Sequence, residues 1–390
     1  MSGGSLAARR IWIDPQRSIQ NAEVVWDGSG RIVALRRTRG RVRDVVLVPG
    51  LVDAHAHLQL EPLPATAPRD FLPWVGAVMK QRAATAPAGM RAAARAHVKA
   101  LQRDGVTAFG EIDSTGLSPA VLRAAGAAGR CYQELTGFHL TGAAARQLVQ
   151  NRRVVGDGRL AAGLSPHAPY SVSGDLMRAA ARRCRHLSIH CAEVPEEQQF
   201  LRTGEGPFAE LLAALGRLPA GFRAPGVGAV RHLQRLGVLR PGTHLVHCQE
   251  LERGDVARIR DAGAAIVVCP GTIEWFGREV PPVARWLAAG VPVAIGTDSR
   301  ASNARWSLRG ELALLGRMCP ALSDRQLLTI ATSHGAQALG RPGLGRLRRG
   351  GRADLLALPA HDGDDDALLG AFVRGELAPA LVLSAGRRIR

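Results

Sequence analysis

Four histidines and one aspartate each close an apolar, strand-like run of this chain. They are His55 and His57 in LVDAHAH, His190 in LSIHCAE, His247 in HLVHCQE and Asp298 in VAIGTDSRASN. An imidazole brings two ring nitrogens that need partners, so packing alone does not place it at strand ends. Histidines at the C-terminal tips of several strands are how a (β/α)8 barrel assembles a metal site. In an extended strand residues i and i+2 share a face, so His55 and His57 can reach one cation together.

His190 is the third candidate ligand. Asp298 completes a shell of three nitrogens and one oxygen that leaves positions open, as a catalytic metal site requires. The other reading of Asp298 is a helix N-cap, although Ser302 or Asn303 could fill that place. One metal needs only His55, His57, His190 and Asp298. His247 is therefore expected beside the metal, orienting water or substrate, with direct ligation as its alternative role. Glu193 lies three residues beyond His190, where a carboxylate could reach the reacting group. Glu196 and Glu197 are expected only to favour a helix N-terminus.

One absence limits the metal count. The only lysines, Lys80 and Lys99, precede the second strand of the barrel. No lysine is available to bridge two metals from the fourth strand, so one divalent cation is expected. The residues do not fix which metal, since such a shell suits zinc, iron or manganese alike. The cation would lower the pKa of its water to roughly 7 and supply hydroxide for attack. Asp298 would take the water proton, and Glu193 would donate to a ring nitrogen or the leaving nitrogen. His247 would stabilise the new hydroxyl. These roles suit hydrolytic deamination of an aromatic amine. His167, in SPHAPYSVS after the fourth strand, is expected to contact substrate.

The elements that must position these groups are legible as alternation. Strand-like runs at 46–50, 106–112, 130–136, 160–165, 186–190, 244–248, 265–269 and 292–297 make eight β units. Helical runs at 87–103, 118–127, 174–184, 253–262 and 306–317 separate them. Regular βα alternation implies a parallel sheet, and eight units imply a closed barrel. Residues 213–243 are rich in Pro and Gly and read as an elaborated loop. The ends differ: ARRIWID, AEVVWDGSGRIVAL and RDVVLVPG near the start, and ADLLALPA and PALVLSAGR near the finish, read as short strands between turns. The expected organisation is an α/β fold: a distorted (β/α)8 TIM barrel over 50–341, with a small composite β-sandwich built from 1–49 and 342–390.

Composition excludes other classes. The 390 residues are 46% hydrophobic and 22% charged, a globular balance without a run of apolar residues long enough to span a bilayer. The opening MSGGSLAARR lacks a basic-then-apolar layout, and none of the six cysteines forms a C-x-x-C pair. A reduced, cytoplasmic protein is expected. The net charge of +18 raises the case of a non-catalytic basic binding protein. However, the arginines are dispersed, and aromatic residues that could stack on bases make up only 4% of the chain. Neither nucleic acid nor membrane is expected as a partner.

The strings PGLVDAHAHL, SPHAPYSVS, IHCAEVPEE, LVHCQEL, VVCPGT and GTDSRASN resemble the amidohydrolase superfamily over nearly the whole chain, and within it the deaminase/chlorohydrolase branch. FLPWV, IHCAEVPEEQQFL and WFG are most similar to aminodeoxyfutalosine deaminase-like proteins. The resemblance implies a distorted barrel with a composite β-sandwich and one zinc or iron. It also implies His55, His57, His190 and Asp298 as ligands, with Glu193 and His247 catalytic, and a small-molecule substrate such as an adenine nucleoside derivative. A homodimer is the corresponding expectation for assembly. Gln59, Trp74 and Ser302 join His167 as expected substrate contacts. Two departures stand out: Gln59 replaces a usual Glu, and Gly271-Thr272 replace a larger polar residue followed by Ser. Both are expected where substrate is gripped. An amide or halide hydrolase using the same site is the alternative activity.

Overall fold

Runs of Val, Ile, Leu and Ala bounded by glycine and polar turns become eight parallel strands in the computed structural model, which describes residues 3–152, 156–360 and 364–389. They are β1 (Leu51–Ala56), β2 (Val106–Asp113), β3 (Ala128–Leu135), β4 (Leu160–Pro166), β5 (Leu187–Cys191), β6 (Thr243–His247), β7 (Ala265–Val268) and β8 (Val293–Ile295). Each pairs with the next in chain order. Every residue of β1, β2, β5 and β6 is buried, as a sheet covered by helices outside and filled by side chains inside requires.

The barrel closes through the candidate site. Asp298, just past β8, makes an isolated parallel bridge with Ala56. Its amide donates to the His55 carbonyl at 3.0 Å, and the His57 amide donates to the Asp298 carbonyl at 2.8 Å. Gly296 permits this approach, because a Cβ there would fall 2.6 Å from the His55 carbonyl oxygen. The seam is reinforced where Asp53 accepts from the Thr297 amide at 3.1 Å and its hydroxyl at 2.6 Å. Between β4 and β5 the ladder thins to the pair Leu164 and Leu187. That thinning leaves the His190 amide free to bond the His167 carbonyl at 2.8 Å.

One strand changes place relative to the sequence expectation. The run at 46–50 is not the first barrel strand; Arg43–Pro49 belongs to the terminal sheet, and the chain enters the barrel at Leu51. Two consecutive apolar strands separated only by Gly50 read as one in sequence. The terminal sheet has seven strands, ordered Arg387–Arg388, Leu381–Ser384, Leu355–Pro359, Arg43–Pro49, Gly4–Asp14, Arg17–Trp26 and Ile32–Arg37. It draws on both ends of the chain and has its own core, including Leu6, Ile11, Val24, Leu47 and Leu355. Positions 1–2, 361–363 and 390 of the expected terminal segments lie outside the described residues.

The helix Pro87–Arg103 buries Met90, Ala94, Val98 and Leu101, an apolar stripe at helical spacing, and begins with proline at a position where no amide is required. Residues 213–243 hold the helix Ala229–Arg235 between loops. The helix Phe71–Ala84 has no counterpart among the expected helices: Phe71 is its one buried residue, so it carries no apolar stripe to read. All six cysteines are free thiols. Among the described residues no helix is long and apolar enough to cross a membrane.

Candidate metal centre and active site

The five strand-end residues meet at one place. His57 Nε2 lies 3.3 Å from His190 Nε2. Asp298 Oδ1 lies 3.6 Å from His55 Nε2 and 3.7 Å from His57 Nε2. Ligand atoms of His55, His190, His247 and Asp298 all fall within 4.8 Å of one another, a group able to hold a metal ion. Tetrahedral ligands at zinc–nitrogen distances stand about 3.4 Å apart, close to these separations. His55, His57 and His247 are kept in the electron-pair-donating form that a cation needs. Burial pulls His55 and His247 down to about 3 and holds His57 well below the ordinary imidazole value. His55 is fully buried, yet neither of its ring nitrogens has a hydrogen-bond partner among the described residues. A buried imidazole costs free energy unless something answers its lone pair, and a cation would do so. On these grounds the donor set fits a divalent metal.

Neighbours orient the donors. The His167 carbonyl lies 3.0 Å from His190 Nδ1, which directs that ring's proton away from the cluster and leaves Nε2 as the donor. Asp298 divides its two oxygens between tasks. Oδ1 faces the histidines, while Oδ2 accepts from the Thr272 hydroxyl at 2.7 Å and the Ser302 hydroxyl at 2.9 Å. Burial works against the charge on Asp298, but His55, His247 and His57 outweigh it and hold the carboxyl well below its ordinary value. Backbone strain gathers here as well. Of the six non-glycine residues with positive φ among the described residues, Ala192, His247, Cys248 and Asp298 sit at these strand ends.

Glu193 is buried beside the cluster, with Oε1 3.8 Å from His247 Nε2 and 3.4 Å from Arg278 Nη1. Burial raises its pKa, and the nearby Arg278 guanidinium opposes that shift. His167 stacks on His190 with ring centres 4.6 Å apart, and its Nδ1 is 2.8 Å from the Ser171 hydroxyl.

Several expected substrate contacts have other occupations. Ser302 is fully buried and its hydroxyl is committed to Asp298. Gln59 donates to Asp113 at 2.6 Å and Ser118 at 2.7 Å and accepts from Thr115 at 2.8 Å, so both ends of its amide are engaged. The Trp74 indole N–H donates to the Ala301 carbonyl at 2.9 Å, and its ring meets Phe276 edge-on at 5.2 Å. Of the two departures from the family pattern, Gln59 is engaged with Asp113, Ser118 and Thr115, and Gly271-Thr272 lie against Asn303 and Asp298. Gly271 is needed because a Cβ would lie 2.5 Å from the Asn303 side chain, and Thr272 holds Asp298. Asn303 in turn donates to the Thr297 carbonyl and to Glu311.

Glu197 does more than favour a helix start: it is fully buried, and Oε2 accepts the Glu193 amide at 2.9 Å. Its place four residues after Glu193, at a helix start, was a usable signal. Arg278 and Glu311 had none, since each reaches the site from a distant loop or helix.

The barrel, with imidazole and carboxylate donors gathered at the C-terminal ends of its strands, defines the class of metal-dependent barrel hydrolases. The chain belongs to the amidohydrolase family, whose pattern matches residues 46–378. It is 34% identical over 324 residues to an aminodeoxyfutalosine deaminase of Deinococcus radiodurans, an alignment covering 76% of this chain and 73% of that protein. In fold it is similar to the aminofutalosine deaminase of Helicobacter pylori, solved in complex with methylthio-coformycin. That match has a TM-score of 0.83 at 21% identity and covers 98% of this chain and 99% of the other. It is also similar in fold to an atrazine chlorohydrolase of Arthrobacter aurescens complexed with zinc, with a TM-score of 0.81 at 20% identity over 98% and 94% of the two chains.

Proposed function

We propose that this protein is a hydrolytic deaminase of an adenine nucleoside derivative, with aminodeoxyfutalosine as the leading substrate. The observation that carries the reading is the approach of Glu193 to His247 at 3.8 Å beside the imidazole–carboxylate cluster. It sets a buried acid and a hydrogen-bonding imidazole on one side of a candidate metal. Identity to the Deinococcus deaminase supports the choice of substrate.

In this account His55, His57, His190 and Asp298 hold one divalent cation, with zinc expected. A bound cation supplies a water of lowered pKa, near 7, for attack at neutral pH. Asp298 keeps Oδ2 on the Thr272 and Ser302 hydroxyls and offers Oδ1 to the cation and to the water proton. Glu193 holds a proton on Oε2 and delivers it to a ring nitrogen, which makes the neighbouring carbon electrophilic. His247 Nε2 orients the incoming oxygen by hydrogen bonding. The water oxygen bonds to the ring carbon, and Asp298 passes the proton it took from the water to the exocyclic nitrogen. The carbon–nitrogen bond breaks and ammonia leaves, with the hydroxyl proton returning to Glu193 as the carbonyl forms. His167, stacked on His190, is assigned to substrate.

The test is ammonia release from the zinc-loaded enzyme, scored over adenosine, 5'-methylthioadenosine, S-adenosylhomocysteine and aminodeoxyfutalosine. The reading expects ammonia, with the highest kcat/KM on aminodeoxyfutalosine. No ammonia from any of the four would overturn it.

A further inference from the structure

Glu193 is not held by the metal cluster alone. Arg278, on the loop beyond β7, places Nη1 3.4 Å from Glu193 Oε1. Its guanidinium lies over the Phe276 ring at 4.3 Å and near the Phe71 ring at 5.3 Å. These rings are fixed in turn: Trp74 meets Phe276 at 5.2 Å and Phe71 at 5.8 Å and is itself bonded to the Ala301 carbonyl. Just before the helix Phe71–Ala84, Arg69 reaches across to Trp275, lying over its ring at 3.5 Å and donating to its carbonyl. The loop that carries Arg278 is thus clamped to the start of the helix Phe71–Ala84. Both partners are largely buried, with 15% and 6% of the Arg278 and Glu193 side chains exposed, so little solvent competes for the contact.

Both neighbours of the Glu193 carboxylate face one oxygen. Arg278 and His247 approach Oε1, and no hydrogen bond among the described residues reaches Oε2. We propose that Arg278 is a positioning residue: held on its aromatic rail, it anchors Oε1 of Glu193 so that Oε2 is presented to the substrate. Arg suits this task because a flat guanidinium can stack on aromatic faces while its edge donates to a carboxylate. The inference rests on the role of Glu193 given above, and it adds a residue and a loop to that role. It also gives the Phe71–Trp74–Phe276 cluster a function. The cluster sets where Arg278 stands, and through Arg278 it sets the direction of an acid that must be placed to within a fraction of an ångström.

The test is a double-mutant cycle on the zinc-loaded enzyme with aminodeoxyfutalosine. Arg278→Met is expected to lower kcat about 10–100-fold with KM changed less than about threefold, the size of a misaimed catalytic group. Arg278→Lys should recover part of that loss. Phe276→Leu, which keeps the guanidinium but removes its rail, should show a smaller fall in kcat, and it serves as the probe if Arg278→Met does not fold. In a Glu193→Gln background, Arg278→Met should cost less than about threefold, because the group it positions is already disabled. An equal loss in both backgrounds would overturn the inference, as would a rise in KM with kcat unchanged, which would make Arg278 a direct substrate contact. Near-normal turnover in Glu193→Gln alone is a separate outcome: it removes the role of Glu193 itself, and with it the basis for the positioning role.

Discussion

The Thr272 hydroxyl donates a 2.7 Å hydrogen bond to Asp298 Oδ2, on the oxygen turned away from the histidines. Ser302 gives that oxygen a second donor at 2.9 Å, so the carboxylate is fixed in rotation. Replacing the hydroxyl by a methyl group leaves volume nearly unchanged and removes one donor. Thr272→Val is expected to weaken metal binding about 10–100-fold, the usual cost of losing a partner that orients a ligand. Titration with a competing chelator checks it. Unchanged affinity would show that Ser302 alone fixes the carboxylate.

The division of labour among the histidines is tested by metal content. In the proposed arrangement His57→Ala loses stoichiometric zinc, whereas His247→Asn keeps the metal and loses turnover. The close grouping of His55, His190, His247 and Asp298 defines the competing ligand set. That set predicts the opposite pattern, with metal lost from His247→Asn and kept by His57→Ala.

Glu311 gives a prediction about pH and stability. Its carboxyl is fully buried, and it accepts from the Gly271 amide at 2.6 Å and from Asn303 at 2.8 Å. Burial pushes its pKa up to about 8 from an ordinary value of 4.5, against the pull of those two donors. A carboxyl whose pKa is raised in the folded state binds more protons folded than unfolded between these values. Its contribution to stability is present below pH 4.5 and is lost as pH rises through about 8. The slope is at most about 1.4 kcal/mol per pH unit. Denaturant unfolding of Glu311→Gln beside the parent should show the parent losing stability relative to the variant across that window. Parallel profiles would contradict this.

Much of the fold was legible because barrel strands are short, apolar and regularly interleaved with helices. The expected strand 160–165 corresponds to Leu160–Pro166, and the expected helix 87–103 to Pro87–Arg103. The misplaced strand at 46–50 shows where the reading stops: hydrophobicity indicates that a strand is buried but not which sheet buries it. The same boundary runs through the site. The types and strand-end positions of His55, His57, His190, His247 and Asp298 marked them as one cluster, whereas Gln59 and Ser302 have the right polarity for substrate but are hydrogen-bonded to Asp113 and Asp298. Arg278 reaches Glu193 across 85 positions, and no local pattern encodes such a contact.

Gly271 carries one further prediction. A Cβ at this position would lie 2.5 Å from the Asn303 amide, which is held by the Thr297 carbonyl and Glu311. Gly271→Ala must displace Asn303 and loosen the segment that carries Asp298. Crowding of this kind costs about 1–3 kcal/mol. A lowered Tm with reduced zinc retention is expected; an unchanged Tm would mean that Asn303 has room to yield.

The central claim is that a metal held by these strand ends works together with the Glu193 carboxyl. Zinc content and ammonia release measured side by side on the parent and on Glu193→Gln test it most directly. The account predicts equal zinc in both proteins and a turnover about 10²–10⁴-fold lower in the variant, the usual contribution of a positioned acid–base group. Equal zinc with near-parental ammonia release would contradict it.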